Sequence, residues 1–434
     1  MFGTSGIRGL YGTEITEELA MKIANAFADN DMAIGRDIRK TGVSLSKAAH
    51  AGAMAAGRDT IDLGIVPTPM VALATKKYSC NGIMITASHN PEEYNGLKLI
   101  SKTKEIDKQY EKEIVKRYNE DMKLCSWNET GKTTVDNRII YEHKEMVKSL
   151  VDWKRIAQKR LKVLVDCNGA GIVITPPLLK ELGCDVVVLN YSVGGFNRPS
   201  EPNEKNLQEA IRHMRTGKFD LCIAHDGDAD RTVVIDDRGE ILPLDVQLAI
   251  MIEHEMRKNK NKKIVSTVEA SLAVREVVEQ NNGEIIITPV GSTYVADMLE
   301  EKNALFGGEP CGEYIYKDGV HVPDAILAAA KFLEVYCENG KLSEQRKKYK
   351  QYFIAREKFK AKDKYETVGK VKESLDIDGK IRDDDGIRID EEDGWMLVRA
   401  SGTEPIVRLT MEYKTKEKLE KRKKEISEII KKNI

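Results

Sequence analysis

The chain has 434 residues, of which 41% are hydrophobic and 32% charged. That length and composition exclude a single small module and a disordered scaffold, and predict three or four compact units, each able to bury its own core. Lysine plus arginine (69) nearly cancels aspartate plus glutamate (70), so no overall field is available to hold nucleic acid or an acidic membrane surface, and the expected partners are small molecules.

From the N-terminus, Gly3-Thr4-Ser5-Gly6-Ile7-Arg8-Gly9 brings hydroxyls, a guanidinium and glycine turns together, chemistry that suits a phosphate but also a plain leader to the first helix. Three short β-rich runs follow, at 32–37, 60–66 and 82–86, with a helical pattern at 45–56 between the first two. The same order returns twice. The second set has runs at 162–166, 184–189 and 220–224 with a helix at 175–182, and the third has runs at 263–267, 284–288 and 303–306 with a helix at 271–280. Strands alternating with helices in this way predict doubly wound sheets. After about Lys360 the texture becomes Lys- and Asp-rich, with hairpin signals at 376–379 and 391–394, runs at 395–400 and 406–412, and a Lys-rich tail at 414–434. The tail's Leu419, Ile426, Ile429 and Ile430 fit a solvated surface helix rather than a nucleic-acid arm. The expected fold is three similar doubly wound α/β domains (1–150, 151–250 and 251–360) plus a smaller C-terminal α+β domain (361–434), all around a central cleft.

The third run of each set ends in a loop rich in reactive or ligand-type residues, and ligands of open α/β sheets bind beyond such strand ends. The first loop, Thr86-Ala87-Ser88-His89-Asn90-Pro91, sets a hydroxyl nucleophile beside an imidazole on a turn stiffened by proline. By itself a Ser-His pair also suits a capped turn. The second, Asp226-Gly227-Asp228-Ala229-Asp230-Arg231, spaces three carboxylates two residues apart, so an extended backbone points them the same way. Such carboxylates repel unless a hard cation joins them, and few protein ligands plus an open phosphate position suit Mg²⁺. The third loop is 307–313. Near the C-terminus, Arg399-Ala400-Ser401-Gly402-Thr403-Glu404-Pro405 with Arg408 reads as a phosphate cradle, and it lacks the spacing of a Walker A loop or a dinucleotide fingerprint.

Taken together, the segments 2–9, 86–91, 226–231, 308–313 and 399–405 resemble the motif set of the α-D-phosphohexomutase superfamily, nearly end to end and in the family's order. The resemblance implies an intramolecular phosphotransferase in which Ser88 is the phosphoserine and, with Asp226, Asp228 and Asp230, a ligand of one Mg²⁺. It implies that Glu309 contacts sugar hydroxyls, that Thr4, Ser5, Arg399, Ser401, Gly402, Thr403 and Arg408 take part in substrate binding, and that Arg8 and Lys98 lie beside the phosphoserine. A hexose 1,6-bisphosphate is the implied activator. The loop Gly308-Glu309-Pro310-Cys311-Gly312-Glu313 departs from the commonest family pattern, in which a Ser and a His stand where Cys311 and Glu313 do, and resembles that of archaeal phosphoglucosamine mutases. A second carboxylate at Glu313 suits the 2-ammonium of glucosamine phosphate, unless it pairs with a neighbouring Arg or Lys. Mannose or glucose phosphate is the alternative substrate.

Phosphoryl transfer has a loose transition state, so the expected work of the protein is alignment and charge neutralisation, with Arg231, Arg8 and Lys98 around the transferring group. Lys98 is the candidate proton acceptor if neighbouring cations lower its pKa, and His89 is expected to orient Ser88 or bond its phosphate. The last domain is expected to close about a hinge near Lys360. The seven cysteines are scattered, odd in number and never in a Cys-x-x-Cys pair, which favours a reducing compartment. With no leader pattern and no bilayer-length apolar run, the expected location is the cytoplasm and the expected state a monomer or homodimer.

Overall fold

Strand Met32–Arg36, apolar enough to be buried on both faces, lies between two parallel neighbours, Thr60–Ile65 on one side and Asn81–Ile85 on the other. Lys162–Asp166 sits in the same way between Asp185–Leu189 and Leu221–His225, and Lys263–Thr267 between Glu284–Thr288 and Phe306–Glu309. In each sheet the third strand then turns back into an antiparallel partner: Tyr94–Ser101, Thr232–Ile235 and Glu313–Tyr316. The threefold order of runs is therefore a threefold topology. The crossovers are the helices Gly42–Ala55, Thr175–Glu181 and Leu272–Gln280, as a parallel pair requires. The computed structural model describes the chain apart from residues 1, 4, 376–378 and 402–404.

One expected run is misplaced. Asn303, at φ 51°, closes the turn after helix Ser292–Glu301, so the strand is not 303–306 but Phe306–Glu309, and that shift carries Glu309 to the strand's end. The first sheet is widened by Ile7–Leu10, which pairs with Tyr94–Ser101, and by Thr133–Val135 at its other edge. One apolar cluster runs through all three units, from Met70 and Met84 by Val163 and Ile223 to Phe306 and Phe332. Helix Ala325–Asn339, rich in alanine and almost wholly buried, lies within that cluster, and its cap Asp324 accepts from Ile326 N and Leu327 N at 3.0 Å.

The last sheet is antiparallel, in the order Phe353–Lys360, Ile406–Tyr413, Gly394–Ala400, Ile387–Asp390, Lys380–Arg382. The hairpin signal at 391–394 is the turn between two of these strands, whereas 376–378 of the other signal lie outside the described residues. The tail is helix Lys416–Lys432, which buries Leu419, Ile426 and Ile430 and leaves its lysines to water. Two expected borders cut through elements. A division after residue 250 splits helix Leu244–Lys258, and one after 360 separates Phe353–Lys360 from the strand it pairs with along its whole length. Lys360 is thus the end of a sheet strand rather than a hinge, and the chain passes from the third unit to the fourth before Phe353.

The fourth unit packs on the third through Val268, Trp395 and Leu397, with Leu272, Ile287 and Val290 beside them. Glu412 fixes the join: it accepts from Ser271 Oγ at 2.6 Å, Leu272 N at 2.8 Å and Trp395 Nε1 at 2.6 Å. Arg275 and Asp390 pair across it at 3.0 Å.

Candidate active site

Ser88 follows strand Asn81–Ile85 at φ 50°, a left-handed conformation that costs an L-residue roughly 1 kcal/mol and is kept only where surroundings enforce it. Its hydroxyl is buried and donates to Asp226 Oδ2 at 2.7 Å, with His89 Nδ1 at 3.4 Å. Asp226 lies at the equivalent strand end of the second unit, 138 residues away. Ala229, inside the acidic loop, shares the left-handed backbone, with φ also 50°.

The three aspartates are buried, and one ligand oxygen from each lies within 4.8 Å of the others. Lys98, on strand Tyr94–Ser101, donates to Asp228 Oδ2 at 2.8 Å and Asp230 Oδ2 at 2.5 Å, and Thr68 Oγ1 also donates to Asp228 Oδ2. The outer oxygens, Oδ1 of Asp228 and Asp230, are buried without a hydrogen-bond partner among the described residues. Orphaned carboxylate oxygens of this kind, converging in an oxygen-only set, fit a hard divalent cation. Burial first, then the other two charges, raises the pKa of Asp226, and burial and Asp228 raise that of Asp230. For Asp228 the pull of Lys98 outweighs burial and lowers it. Lys98 itself is raised, because Asp228 and Asp230 outweigh its desolvation. The two carboxylates, and not a neighbouring cation, thus dominate the surroundings of Lys98 and favour its ammonium form.

A cavity of about 160 Å³ opens where the loops meet. Its wall takes Ser5 and Arg8 from the N-terminus, His89 from the first loop, Asp230 and Arg231 from the second, and Glu309, Cys311 and Glu313 from the third. The charge of Arg231, then burial and Arg8, push His89 down to about 2, which favours the neutral imidazole. Glu309 accepts from Gly291 N at 3.0 Å, and burial, then Glu313 beside it, raises its pKa above the ordinary carboxylate value. Cys311 is likewise held as a thiol by burial and by Glu313. Glu313 Oε1 accepts from Arg231 Nε at 3.0 Å and pairs with its Nη2 at 2.9 Å. The neighbouring-arginine alternative is thus realised, and Arg231 engages one carboxylate oxygen of the group expected to meet an ammonium. Ser5 Oγ reaches Glu105 at 2.8 and 2.9 Å, which ties the N-terminal segment to the acid beside Lys98.

Arg399 and Arg408 are directly opposed on neighbouring antiparallel strands, with Lys358 opposite Arg408 on the next. Arg399 Nη1 meets Glu269, a cavity-wall residue, at 3.4 Å, which brings the fourth unit to the same cleft. Ser401 is buried, its N bonded to Ile406 O at 3.0 Å and its carbonyl to Lys364. Thr4, Gly402 and Thr403 lie outside the described residues. Arg39, Thr68, Glu105, Arg198, Ser200 and Glu269 stand in no motif that marks them in the sequence. The available signal was position: Asp37 with Arg39, Asp166 and Glu269 all follow or end the first strand of a repeat.

Four successive family models match this chain: phosphoglucomutase/phosphomannomutase α/β/α domains I (residues 1–124), II (142–239) and III (244–352), and the C-terminal domain (355–429). The chain belongs to this family, within the α-D-phosphohexomutase superfamily. Among its relatives, a protein of Methanobrevibacter smithii named probable phosphoglucosamine mutase is 38% identical, over 100% of this chain and 99% of that one. A phosphoglucomutase/phosphomannomutase of Thermococcus kodakarensis is 37% identical, over 96% and 95%. The fold matches a phosphoglucomutase/phosphomannomutase family protein of Burkholderia thailandensis with TM-score 0.88 at 24% identity, covering 99% and 97% of the two chains. It also matches an Aspergillus fumigatus N-acetylphosphoglucosamine mutase, solved with GlcNAc-6P and magnesium, with TM-score 0.66 at 15% identity, covering 100% and 95%.

Proposed function

We propose that the chain is a phosphoglucosamine mutase, interconverting glucosamine 6-phosphate and glucosamine 1-phosphate through phospho-Ser88 and a 1,6-bisphosphate that serves as both intermediate and activator. The observation that carries this reading is the 2.7 Å contact between Ser88 Oγ and Asp226 inside the buried acidic triad, joined to full-length kinship with archaeal relatives of that name.

Asp226, Asp228 and Asp230, with Ser88, are the residues that would hold Mg²⁺, which when bound supplies positive charge to the oxygens of the transferring group. The chain's own residues do the rest. Arg8, Arg231 and Lys98 place fixed cations around His89, the residue next to Ser88, and so match the charge spread over a transferring phosphoryl group. Neutral His89 aligns the serine, Glu309 bonds sugar hydroxyls, and the Arg399–Arg408 pair with Ser401 holds the phosphate that is not reacting. The bisphosphate then reverses so that its other phosphate meets dephospho-Ser88.

The phosphomannomutase/phosphoglucomutase reading shares every step and is favoured by one observation, the engagement of Glu313 by Arg231. Turnover of glucosamine, glucose and mannose 1- and 6-phosphates, with Mg²⁺ and catalytic bisphosphate, decides between them. A preference for glucosamine that persists in Glu313→Gln excludes the amine contact, and release of free phosphate at the rate of sugar turnover would make the protein a phosphohydrolase instead. No helix among the described residues is long and apolar enough to cross a membrane, and all seven cysteines are free. Free cysteines fit a reducing compartment, and the proposed setting is the cytoplasm, with the protein a monomer or homodimer.

A further inference from the structure

Beneath Ser88 and Asp226 lies a continuous set of buried hydrogen bonds that neither side chain makes for itself. In the first unit Asp37 pairs with Arg39 Nε at 3.0 Å and accepts from Thr86 Oγ1 at 2.7 Å, and Thr86 Oγ1 in turn accepts from Ser88 N at 2.8 Å. The rest of the Arg39 guanidinium donates to the carbonyls of Ser88 (2.9 Å), Asn90 (2.8 Å), Tyr94 (2.9 Å) and Pro91. Arg39 is fully buried, and its plane faces the ring of Phe196, a second-unit residue, at 4.9 Å.

The second unit repeats the device. Asp166, at the strand end equivalent to Asp37, pairs with Arg198 at 3.1 Å. Arg198 donates to His225 O at 2.8 Å, to Ser200 O at 3.0 Å and to Pro199 O at 2.9 Å. The two halves join at one atom: Ser200 Oγ donates to Ser88 O at 2.8 Å, the carbonyl that Arg39 also holds. Gly227 passes so close that a Cβ there would sit 2.8 Å from Ser88 O and 2.9 Å from Ser200 Oγ, so the two backbones touch at the join.

We propose that Arg39, Ser200 and Arg198 are positioning residues for phosphoryl transfer, forming a jig that runs from Asp37 to Asp166 and holds the backbone of Ser88 in register with that of Asp226. The proposal rests on the reading of Ser88 as the phosphate acceptor. Its physical content is that a serine in a left-handed conformation does not keep its hydroxyl aimed unaided, and that a fully satisfied buried network fixes one arrangement where a partly satisfied one does not. A guanidinium suits the task because its rigid fork reaches several carbonyls at once, which an ammonium does not do with the same geometry.

None of the three touches the cavity wall, so their loss should act on the transfer step and leave substrate affinity alone. The test compares wild type, Ser200→Ala, Arg39→Lys and Arg198→Lys, each with its Mg²⁺ bound. Glucose 1,6-bisphosphate is the phosphate donor, the rate of Ser88 phosphorylation is read by intact-protein mass, and kcat and KM are measured on glucosamine 6-phosphate. Ser200→Ala removes one hydroxyl and keeps the fold, so it carries the test even where an arginine variant does not fold. Expected is a fall of at least ~10-fold in both the phosphorylation rate and kcat for Ser200→Ala, and ~100-fold for Arg39→Lys, the scale that a misplacement of order 1 Å brings, with KM within about threefold of wild type. Ser200→Thr, which restores the hydroxyl, should recover most of the rate. A role in stability alone would lower Tm and leave these rates unmoved in folded protein. Rates within threefold of wild type for Ser200→Ala, or equal changes in kcat and KM with no rescue by threonine, overturn the proposal. Wild type that takes no phosphate at Ser88 overturns the reading of Ser88 instead.

Discussion

Lys98→Met separates charge from volume at the centre of the site. The Lys98 side chain is 1% exposed, with its ammonium on two buried carboxylates at 2.8 and 2.5 Å, and methionine fills nearly the same space. The substitution strands Asp228 and Asp230 without their cation, and breaking a buried pair from one side costs about 3–5 kcal/mol. At about 2–4 °C per kcal/mol, the range for 150–250 residues unfolding together as the docked units would, the variant should melt roughly 6–20 °C below wild type in chelator. A divalent cation on the triad would replace the missing charge, and it would no longer compete with an ammonium. Millimolar magnesium should therefore raise the Tm of the variant more than that of wild type, by an amount that grows with the logarithm of cation concentration. The sign with pH is definite. The folded pKa of Lys98 is raised, so its contribution is complete below the unfolded value near ~10.4 and is lost only as pH rises through the still higher folded value. Without Lys98 the burial of Asp228 and Asp230 loses its largest offset, so the gap between the two proteins should be smallest at acid pH and widen as those carboxylates ionise. Thermal melts followed by circular dichroism, in chelator and in magnesium, measure both quantities. A variant that melts with wild type in chelator, or gains no more from magnesium than wild type does, refutes the reasoning.

Ser88→Ala should lower mutase turnover by at least ~10³-fold, as loss of a covalent intermediate does, while sugar-phosphate binding by calorimetry stays within a few-fold of wild type. Asp226→Asn removes both a triad oxygen charge and the acceptor of the Ser88 hydroxyl; it should abolish turnover and weaken the magnesium-dependent rise in Tm. Asp245, whose Oδ1 has no hydrogen-bond partner among the described residues, is raised to about 7, by burial first and then by Glu412. Its contribution is present below the unfolded carboxylate value and lost as pH rises through about 7, so Asp245→Asn should raise stability at pH 8, by up to about 4 kcal/mol, and change it little at pH 4. Urea titrations at the two pH values check this.

What was legible in the chain was what local pattern encodes. Alternating runs and helices placed the central strands Lys162–Asp166 and Lys263–Thr267 to the residue, because strands buried on both faces read as short apolar bursts between polar turns. The loops stood out because reactive residues clustered where an apolar strand stopped. Contacts between distant segments left no such trace. Thr68 on Asp228, Ser200 on Ser88 and Arg231 on Glu313 join residues 160, 112 and 82 positions apart, and only the docking of one unit on another brings them together. The misplaced borders have the same origin. Phe353–Lys360 finds its partner strand about fifty residues on, at Ile406–Tyr413, so a change of composition near Lys360 marked a change of texture inside a unit and not its edge.

The repeat also explains why one cleft receives charges of both signs. In every unit the strand that returns antiparallel after the chemical loop delivers an ionic group to the centre: Lys98 from the first, Arg231 just before Thr232–Ile235 in the second, and Glu313 at the start of Glu313–Tyr316 in the third. Lys98 meets the acidic loop of the second unit, and Arg231 bridges to Glu313 of the third. Lys98 is thus paired with the second unit and Arg231 with the third, so these ion pairs exist only when the units are docked. Glu313→Gln tests this dependence without touching Ser88. It leaves Arg231 without its anion, and the freed guanidinium is available to a substrate phosphate or to Asp230, whose pKa Arg231 already lowers. The expected result is a change in KM for every hexose phosphate alike, with Ser88 phosphorylation from glucose 1,6-bisphosphate retained. A loss confined to glucosamine phosphate would show instead that Glu313 reads the amine in spite of its arginine.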